Sequence, residues 1–150
     1  MIRRLILLAV LGAGAGCGGD RVAYTPEEAA RARSGIETLQ IRDVEEGPGE
    51  VAEPGRRLRV HYSGWLFDPQ AAGQRGRPFD SSRTAGRPFD FVLGSGAVIP
   101  GWDRGLAGMK EGGRRELVIP ARLAYGPGGQ APSIPPDATL VFEVELLDVR

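Results

Sequence analysis

The chain has 150 residues, of which 41% are hydrophobic and 25% charged, and its 19 basic and 19 acidic residues give a formal net charge of zero. This size fits one globular domain with short appendages and excludes two full domains. The balanced charge argues against nucleic acid as a partner, because nucleic-acid-binding domains need a clearly basic face.

The first 16 residues have the pattern of an export signal. Arg3 and Arg4 precede an apolar stretch over residues 5–11, and small residues follow over 12–16. The apolar stretch is too short to span a bilayer as a helix. We therefore predict a signal peptide over residues 1–16, rather than a buried helix, and an exported protein on the periplasmic face of a bacterial cell envelope.

Cys17, the single cysteine, follows this leader directly, as the acylated cysteine does in bacterial lipoproteins. Gly14 stands where lipoprotein signals usually carry leucine, and residues 13–15 also form an ordinary small-x-small cleavage site. A lipoprotein lipidated at Cys17 is the favoured interpretation, and a soluble secreted protein is the alternative. In the first case the protein meets the membrane only through its acyl chains, each buried methylene contributing about 0.8 kcal/mol.

Residues 17–36 are predicted to be a tether that links the leader to the domain. Thr25, Pro26 and Glu28 form a helix-start signature, with a threonine cap, a proline in the first turn and a glutamate three residues on. A short helix and a solvated spacer with transient helicity are both compatible with this signature, because so short a helix is marginal in water.

Residues 37–150 are predicted to form the domain. Apolar and polar residues alternate in period two, or nearly so, over 37–44, 57–62, 88–93, 114–119 and 140–147, which indicates antiparallel strands separated by glycine- and proline-rich turns. One helix begins at Pro100, with Trp102, Leu106 and Met109 on a single face. The predicted fold class is α+β, a twisted antiparallel sheet of about five strands wrapped around one short helix. Residues 73–77 are interpreted as a polar loop.

Six sequence motifs occur in the order and spacing of one known family. They are Val60-His61-Tyr62-Ser63-Gly64, Phe79-Asp80-Ser81-Ser82, the apolar and glycine-rich run over residues 89–102, Ala124-Tyr125-Gly126, Ile134-Pro135-Pro136 and the closing run over residues 138–147. On these residues the chain closely resembles the FKBP-type peptidyl-prolyl cis-trans isomerases, immunophilins that bind macrolides. The resemblance implies the FKBP-like fold, no cofactor, macrolide inhibitors, and unfolded or exported proline-containing polypeptides as substrates.

The resemblance also implies an apolar pocket for proline. The prolyl ring is expected to lie on the indole of Trp102, while the backbone N–H of Ile99 and the hydroxyl of Tyr125 donate to substrate carbonyls. The carboxylate of Asp80 is expected near the rotating carbonyl, and these four residues are the candidate catalytic residues. The substrate-binding residues implied beside Ile99, Trp102 and Tyr125 are Tyr62, Phe79, Phe89, Phe91, Val98, Ile134 and Phe142.

Each of these assignments has a structural alternative. The aromatic residues are also what a hydrophobic core needs, Asp80 is also suited to capping the turn that follows it, and the Tyr125 hydroxyl is also suited to anchoring its own loop. His61, the only histidine, is predicted to be solvated or structural. Without a second histidine or a cysteine cluster, no metal site is expected.

Two segments depart from the family pattern. The loop over residues 67–78 is longer than in minimal members, which affects the approach to the pocket. The flap over residues 126–134 has the minimal length, with Gln130 where some members have histidine, and leaves no room for the chaperone domain that certain bacterial relatives insert there. The carry-over of the family's pocket is weakest at these two segments.

Three functions are compatible with these patterns. The first is an isomerase that stabilises the twisted X-Pro amide without covalent chemistry and assists the folding of exported proteins. The second is an envelope chaperone or peptide-binding module that uses the same pocket without turnover. The third, a tethered structural lipoprotein with a vestigial site, is the weakest, because every pocket position carries a suitable residue.

Overall fold

The structure, a computed structural model, describes residues 23–150; the predicted leader and Cys17 lie outside them. The helices are α1 (Pro26–Ala32) and α2 (Pro100–Gly105), and the strands are β1 (Gln40–Glu45), β2 (Arg57–Phe67), β3 (Arg75–Ser81), β4 (Phe89–Val92), β5 (Arg114–Ile119) and β6 (Leu140–Val149). Over residues 23–150, none of the helices combines the length and apolar character needed to cross a membrane.

The strands form one antiparallel sheet in the order β1-β5-β6-β2-β3. The long strand β2 pairs with β6 along its whole length, with β4 at its beginning and with β3 at its end. The predicted alternation holds in β2, where Leu58, Val60 and Tyr62 are buried and Arg59 is exposed. The α+β fold class is confirmed, with six strands in place of the five that the alternation indicated.

The additional strand is β3, whose first residues, 75–77, were predicted to belong to a polar loop. Its residues include Gly76 and Pro78, both of which are depleted in strands. Pairing with β2 shifts register between Gly64 and Trp65 and again before Phe67, so the strand is irregular. The long loop predicted over residues 67–78 is therefore mostly a hairpin, in which β2 ends at Phe67 and β3 begins at Arg75.

Helix α2 crosses one face of the sheet and supplies the centre of the core. Trp102, Leu106 and Met109 are all buried, as their spacing predicts, although the helix itself ends at Gly105. Two glycines allow close approach to β5: a Cβ on Gly101 would lie 2.4 Å from Cγ2 of Ile119. The helix therefore rests directly on the strand.

Helix α1 has the full capping box that its sequence signature indicates. The hydroxyl of Thr25 accepts from the backbone N–H of Glu28 at 3.1 Å, and the carboxylate of Glu28 accepts from the backbone N–H of Thr25 at 2.6 Å. Ala29 and Ala32 are buried on the side of the helix that faces the domain. The part of the predicted tether that the structure describes thus lies against the sheet.

The sheet has a hydrophobic cluster on each face. The main cluster surrounds α2, and a smaller outer cluster consists of Phe67, Val118 and Val141, with Ile36 and Trp65 packed against it. Successive residues of a strand point to opposite faces, so β5 and β6 contribute to both clusters.

Candidate active site

Trp102 is the base of an aromatic cluster to which α2 and four strands contribute. Its indole is fully buried, and the rings of Tyr62 on β2 and Phe142 on β6 lie 5.0 and 5.4 Å from it, centroid to centroid, in near-perpendicular arrangements. Perpendicular pairs of this kind stabilise one another beyond the area they bury, by about 0.5–1.5 kcal/mol. The base of the cluster is therefore a rigid arrangement of rings.

Further aromatic rings come from β3 and β4. Phe89 and Phe91 lie 6.2 and 5.6 Å from Trp102, and Phe79 lies 5.5 Å from Phe142. Phe91 is buried, whereas Phe89 and Phe79 are partly exposed. The structure thus brings six of the seven predicted aromatic residues into ring contact, with Phe91 in the core beneath and Phe89 and Phe79 toward the surface, while Tyr125 packs against the main cluster.

Asp80 joins this cluster through Tyr62. The Tyr62 hydroxyl donates to Oδ2 of Asp80 at 2.6 Å. Burial raises the pKa of Asp80, while hydrogen bonds from Tyr62 and from the backbone of Ser81 oppose this rise. Burial, reinforced by the Asp80 carboxylate, raises the pKa of Tyr62 far above its ordinary value, so Tyr62 is a neutral donor.

Ser81 and Asp80 both accept from backbone groups in the turn after β3. The hydroxyl of Ser81 accepts from the backbone N–H of Arg83 at 3.2 Å, and the Asp80 carboxylate accepts from the backbone N–H of Ser81. The same carboxylate also accepts from the Tyr62 hydroxyl within the aromatic cluster.

Two predicted donors have no hydrogen-bond acceptor in the described part of the chain. One is the backbone N–H of Ile99, at the start of α2. The other is the hydroxyl of Tyr125; burial and the charge of Asp80 raise the pKa of Tyr125, and no hydrogen bond contributes to that rise. The hydroxyl does not anchor its own loop, so both groups are available to an added ligand.

Val98, Ile99 and Ile134 complete the apolar surroundings, and all three are buried in the main cluster. Ile134 lies in the flap, where its backbone exchanges two 2.8 Å hydrogen bonds with that of Gln130. The backbone groups of Gln130 and Ile134 therefore hold this part of the flap in a turn.

Two positioning side chains were missed by the sequence analysis. The carboxylate of Asp103 accepts from the backbone N–H groups of Gly94 and Gly96, at 2.8 and 3.1 Å, and so ties α2 to the loop that leads to Ile99. An acidic residue in the first turn of a helix that follows a glycine-rich loop is a signal that could have indicated this role.

Ser82 is the second of these side chains. Its buried hydroxyl accepts from the backbone N–H of Tyr62 at 2.8 Å and lies 2.9 Å from Nδ1 of His61. His61 thus supports the strand that carries Tyr62, in keeping with the structural role expected for it.

The chemistry available here is that of binding and orientation. No cluster of three or more potential metal ligands occurs among residues 23–150. The indole N–H of Trp102 is fully buried and has no partner among the same residues. A buried donor without an acceptor destabilises a protein by about 1–3 kcal/mol, and such groups are uncommon outside functional sites.

The fold is that of one enzyme family. The FKBP-type peptidyl-prolyl cis-trans isomerase family matches residues 49–147, well over half of the chain. The chain belongs to this family of isomerases, as its motifs indicated.

Individual relatives agree with this assignment. The chain is 49% identical over 112 residues to an "FK506-binding protein" of Neisseria meningitidis serogroup A, covering 75% of this chain and 96% of that protein. It is 50% identical over 99 residues to "Peptidyl-prolyl cis-trans isomerase FPR2" of Saccharomyces cerevisiae, covering 66% and 69%. The crystal structure of FkpA from Escherichia coli superposes with a TM-score of 0.65 at 47% identity, over 75% of this chain and 48% of FkpA.

Proposed function

We propose that this protein accelerates cis-trans isomerisation of X-Pro bonds in exported proteins while they fold. The observation that carries the proposal is the aromatic cluster on Trp102, next to which two donors, at Ile99 and Tyr125, lack acceptors in the described chain. An apolar pocket with a few polar groups at its edge is the form expected of a site for a peptide or small molecule.

The reaction needs no covalent step. Rotation about a peptide bond crosses a barrier of about 18–20 kcal/mol, and an X-Pro bond exchanges over tens of seconds or longer without a catalyst. At the twisted state amide resonance is lost, and the carbonyl needs less solvation than in the planar form. A pocket that excludes water and binds the twisted form more tightly lowers the barrier, each tenfold gain requiring about 1.4 kcal/mol of preference.

Each candidate catalytic residue has a physical role in this mechanism. Trp102 supports the prolyl ring, while Ile99 and Tyr125 donate to substrate carbonyls and so fix the peptide. The Asp80 carboxylate accepts a hydrogen bond from Tyr62 at 2.6 Å and faces the rotating carbonyl. Its negative charge favours the orientation of that carbonyl in which the interaction between charge and carbonyl dipole is most favourable.

The test is the isomerisation rate of a short Xaa-Pro peptide with purified protein, with and without a macrolide of the FK506 type. We expect acceleration that the macrolide abolishes, and a loss of at least about tenfold in kcat/KM for Trp102→Leu. Circular dichroism of the variant verifies that it is folded. No acceleration by the folded wild-type protein contradicts the proposal.

A binding or chaperone function is a second candidate, favoured by the exposed apolar residues Ala131 and Pro132 on the flap. Trp102→Leu distinguishes the two functions. Suppressed aggregation of a proline-free client that survives this substitution, while isomerase activity disappears, assigns the holding activity to the rim. The same rim predicts a preference for apolar residues before proline, which a series of charged and apolar peptides measures.

The location belongs to the same proposal. Arg3, Arg4 and the apolar stretch that follows support export to the cell envelope, and Cys17 supports a lipid anchor. Mass spectrometry of the mature amino terminus tests both. A diacylglyceryl adduct on Cys17 is expected, and an unmodified cysteine contradicts the anchor.

A further inference from the structure

We infer that residues 25–37, the N-terminal strap, hold the flap in its working position and so tune the rate and the peptide preference of the site. Ser34, Arg33 and Arg122 are the positioning residues through which the strap acts. This inference rests on the proposed function, because Tyr125, which directly precedes the flap, and Ile134, its last residue, act there on substrate. The strap includes α1 and the segment that leads to β1.

The strap is hydrogen-bonded to Thr139, in the segment that follows the flap (residues 135–139, here called its carboxyl-terminal root). The backbone N–H of this buried residue donates to the carbonyl of Ala32 at 2.8 Å, and its hydroxyl lies 3.0 Å from that of Ser34. The guanidinium of Arg33 donates to the carbonyl of Pro136 at 3.4 Å. Three consecutive strap residues, 32–34, therefore fix the chain where it leaves the flap.

The amino-terminal root of the flap is held by the same strap. Nε and Nη2 of Arg122 both donate to the carbonyl of Glu37, at 3.1 and 2.8 Å. Arg122 lies three residues before Tyr125, in the short 3-10 helix Ala121–Leu123. The two roots are also joined to each other, since the backbone N–H of Asp137 donates to the carbonyl of Gly126 at 2.9 Å.

The strap has its own attachment to the sheet, away from the flap. Arg31 and Glu28 of α1 pair with Asp68 and Arg77 of the β2–β3 hairpin, at 3.1 and 3.0 Å. These ion pairs border a cavity of about 300 Å³ between α1 and the hairpin. Ile36 packs against the outer cluster.

Because the strap is attached to the sheet independently of the flap, its contacts with the flap roots can fix the position of the flap relative to the sheet. Beyond its roots, much of the flap lies at the surface, including Pro127, Gly128, Ala131 and Pro132. Surface loops with few buried contacts open at low free energy, so the root contacts act together with the burial of Ile134 in the main cluster to set the position of the flap.

The test uses the full-length protein with Ser34→Ala and Arg122→Met combined. Both side chains lie outside the pocket, so the substitutions do not change the site directly. The thermal midpoint of the variant verifies that it is folded. We expect kcat/KM to fall about tenfold for peptides with leucine before proline and less for glutamate, because the proposed preference for an apolar residue at this position rests on the apolar flap residues Ala131 and Pro132. Hydrogen exchange at the amides of Gln130 and Ile134 is expected to become about tenfold faster.

Arg42→Met is the matched control, because Arg42 is an exposed arginine that pairs with Glu116 on the outer face of the sheet. It is expected to leave activity, preference and flap exchange at wild-type values. Arg122→Lys, with Ser34 intact, is expected to restore the peptide preference, since lysine retains a donor for Glu37.

Unchanged preference and unchanged flap exchange in the double variant overturn the inference. If the wild-type protein itself shows no isomerase activity, the proposed function fails. Flap exchange in the same variants then still decides whether the strap holds the flap.

Discussion

Asp80 shows at the scale of a single residue how the site departs from what stability alone favours. Its carboxyl group is half-buried among aromatic rings, and this burial raises its pKa above the ordinary value of 3.8. At neutral pH the fold therefore holds a charge in surroundings that disfavour it. A group that weakens the fold is expected to persist where function needs it.

Replacing this carboxylate with a neutral amide is expected to stabilise the protein. Because the native state binds the proton of Asp80 more tightly than the unfolded chain does, wild-type stability falls as pH rises from below 3.8 through the raised native pKa. Asp80→Asn removes this dependence. Its advantage in free energy of unfolding is absent at low pH, grows across that range and is constant above it.

Urea unfolding at a series of pH values measures this effect. Asp137→Asn is the control for the loss of one carboxylate, since Asp137 is exposed and asparagine tolerates its positive φ of 58°. A stability advantage of Asp80→Asn that is equally large at low pH contradicts the assigned cause. Isomerase activity is expected to fall in the same variant.

Tyr62→Phe is expected to destabilise the protein by about 1–3 kcal/mol at neutral pH. The substitution removes the hydroxyl that donates to Asp80 and leaves a buried carboxylate without that donor. In an Asp80→Asn background the loss is expected to be smaller, because a neutral acceptor is less costly to leave unpaired. A double-mutant cycle from chemical unfolding measures the coupling, and additive losses contradict it.

The sequence indicates the pocket residues better than the residues that hold them. Trp102, Tyr62 and Phe142 stand in recognisable motifs, and the structure brings them into one cluster. Asp103 and Ser82 bond to backbone groups whose position depends on the path of a loop or on the pairing of a strand. Such contacts have no regular spacing in sequence, so periodicity does not reveal them.

At the scale of elements, the packing of α2 on β5 depends on the absence of a side chain. Gly101→Ala places a Cβ 2.4 Å from Cγ2 of Ile119 and 2.8 Å from its Cδ1. Although alanine favours a helix over glycine by about 1 kcal/mol, overpacking costs about 1–3 kcal/mol. We expect the variant to have a lower thermal midpoint and weaker macrolide binding, because α2 carries Trp102.

Gly128→Ala is the matched control for this substitution. No atom lies within 4 Å of a Cβ built at Gly128, and its φ is not in the positive range that favours glycine. Its stability is expected to change by less than about 0.5 kcal/mol. A Gly101→Ala protein as stable as the control shows that α2 can shift away from β5 without loss.

Strand prediction succeeded for β2, which has one buried face, and failed for β3, which has none. β2 alternates between exposed and buried residues, whereas every residue of β3 is at least partly exposed. The alternation that signals a strand arises from burial of one face. β3 is instead formed by its hairpin pairing with β2, whose register shifts twice, so a regular period along β3 does not signal it.

At the scale of the whole molecule, the two hydrophobic clusters share their strands. Leu117 and Phe142 face the main cluster, while their neighbours Val118 and Val141 face the outer one. Because neither cluster can lose its strands without disrupting the other, we expect a single cooperative unfolding transition.

The two tryptophans of the chain provide the test, since Trp102 lies in the main cluster and Trp65 packs on the outer one. In each of the variants Trp65→Phe and Trp102→Phe, the fluorescence of the remaining tryptophan and the far-UV circular dichroism are expected to give the same urea midpoint. Separate midpoints within one variant show that the clusters unfold independently.

The position of β6 in the chain bears on when the protein can fold. This strand lies between β5 and β2 in the sheet, yet its residues, Leu140–Val149, are made after those of every other strand. A growing polypeptide that lacks these residues cannot pair β5 and β2 through β6 and cannot complete the pocket. Until those ten residues leave the ribosome, the rest of the chain cannot finish folding and can still pass, unfolded, through a narrow channel.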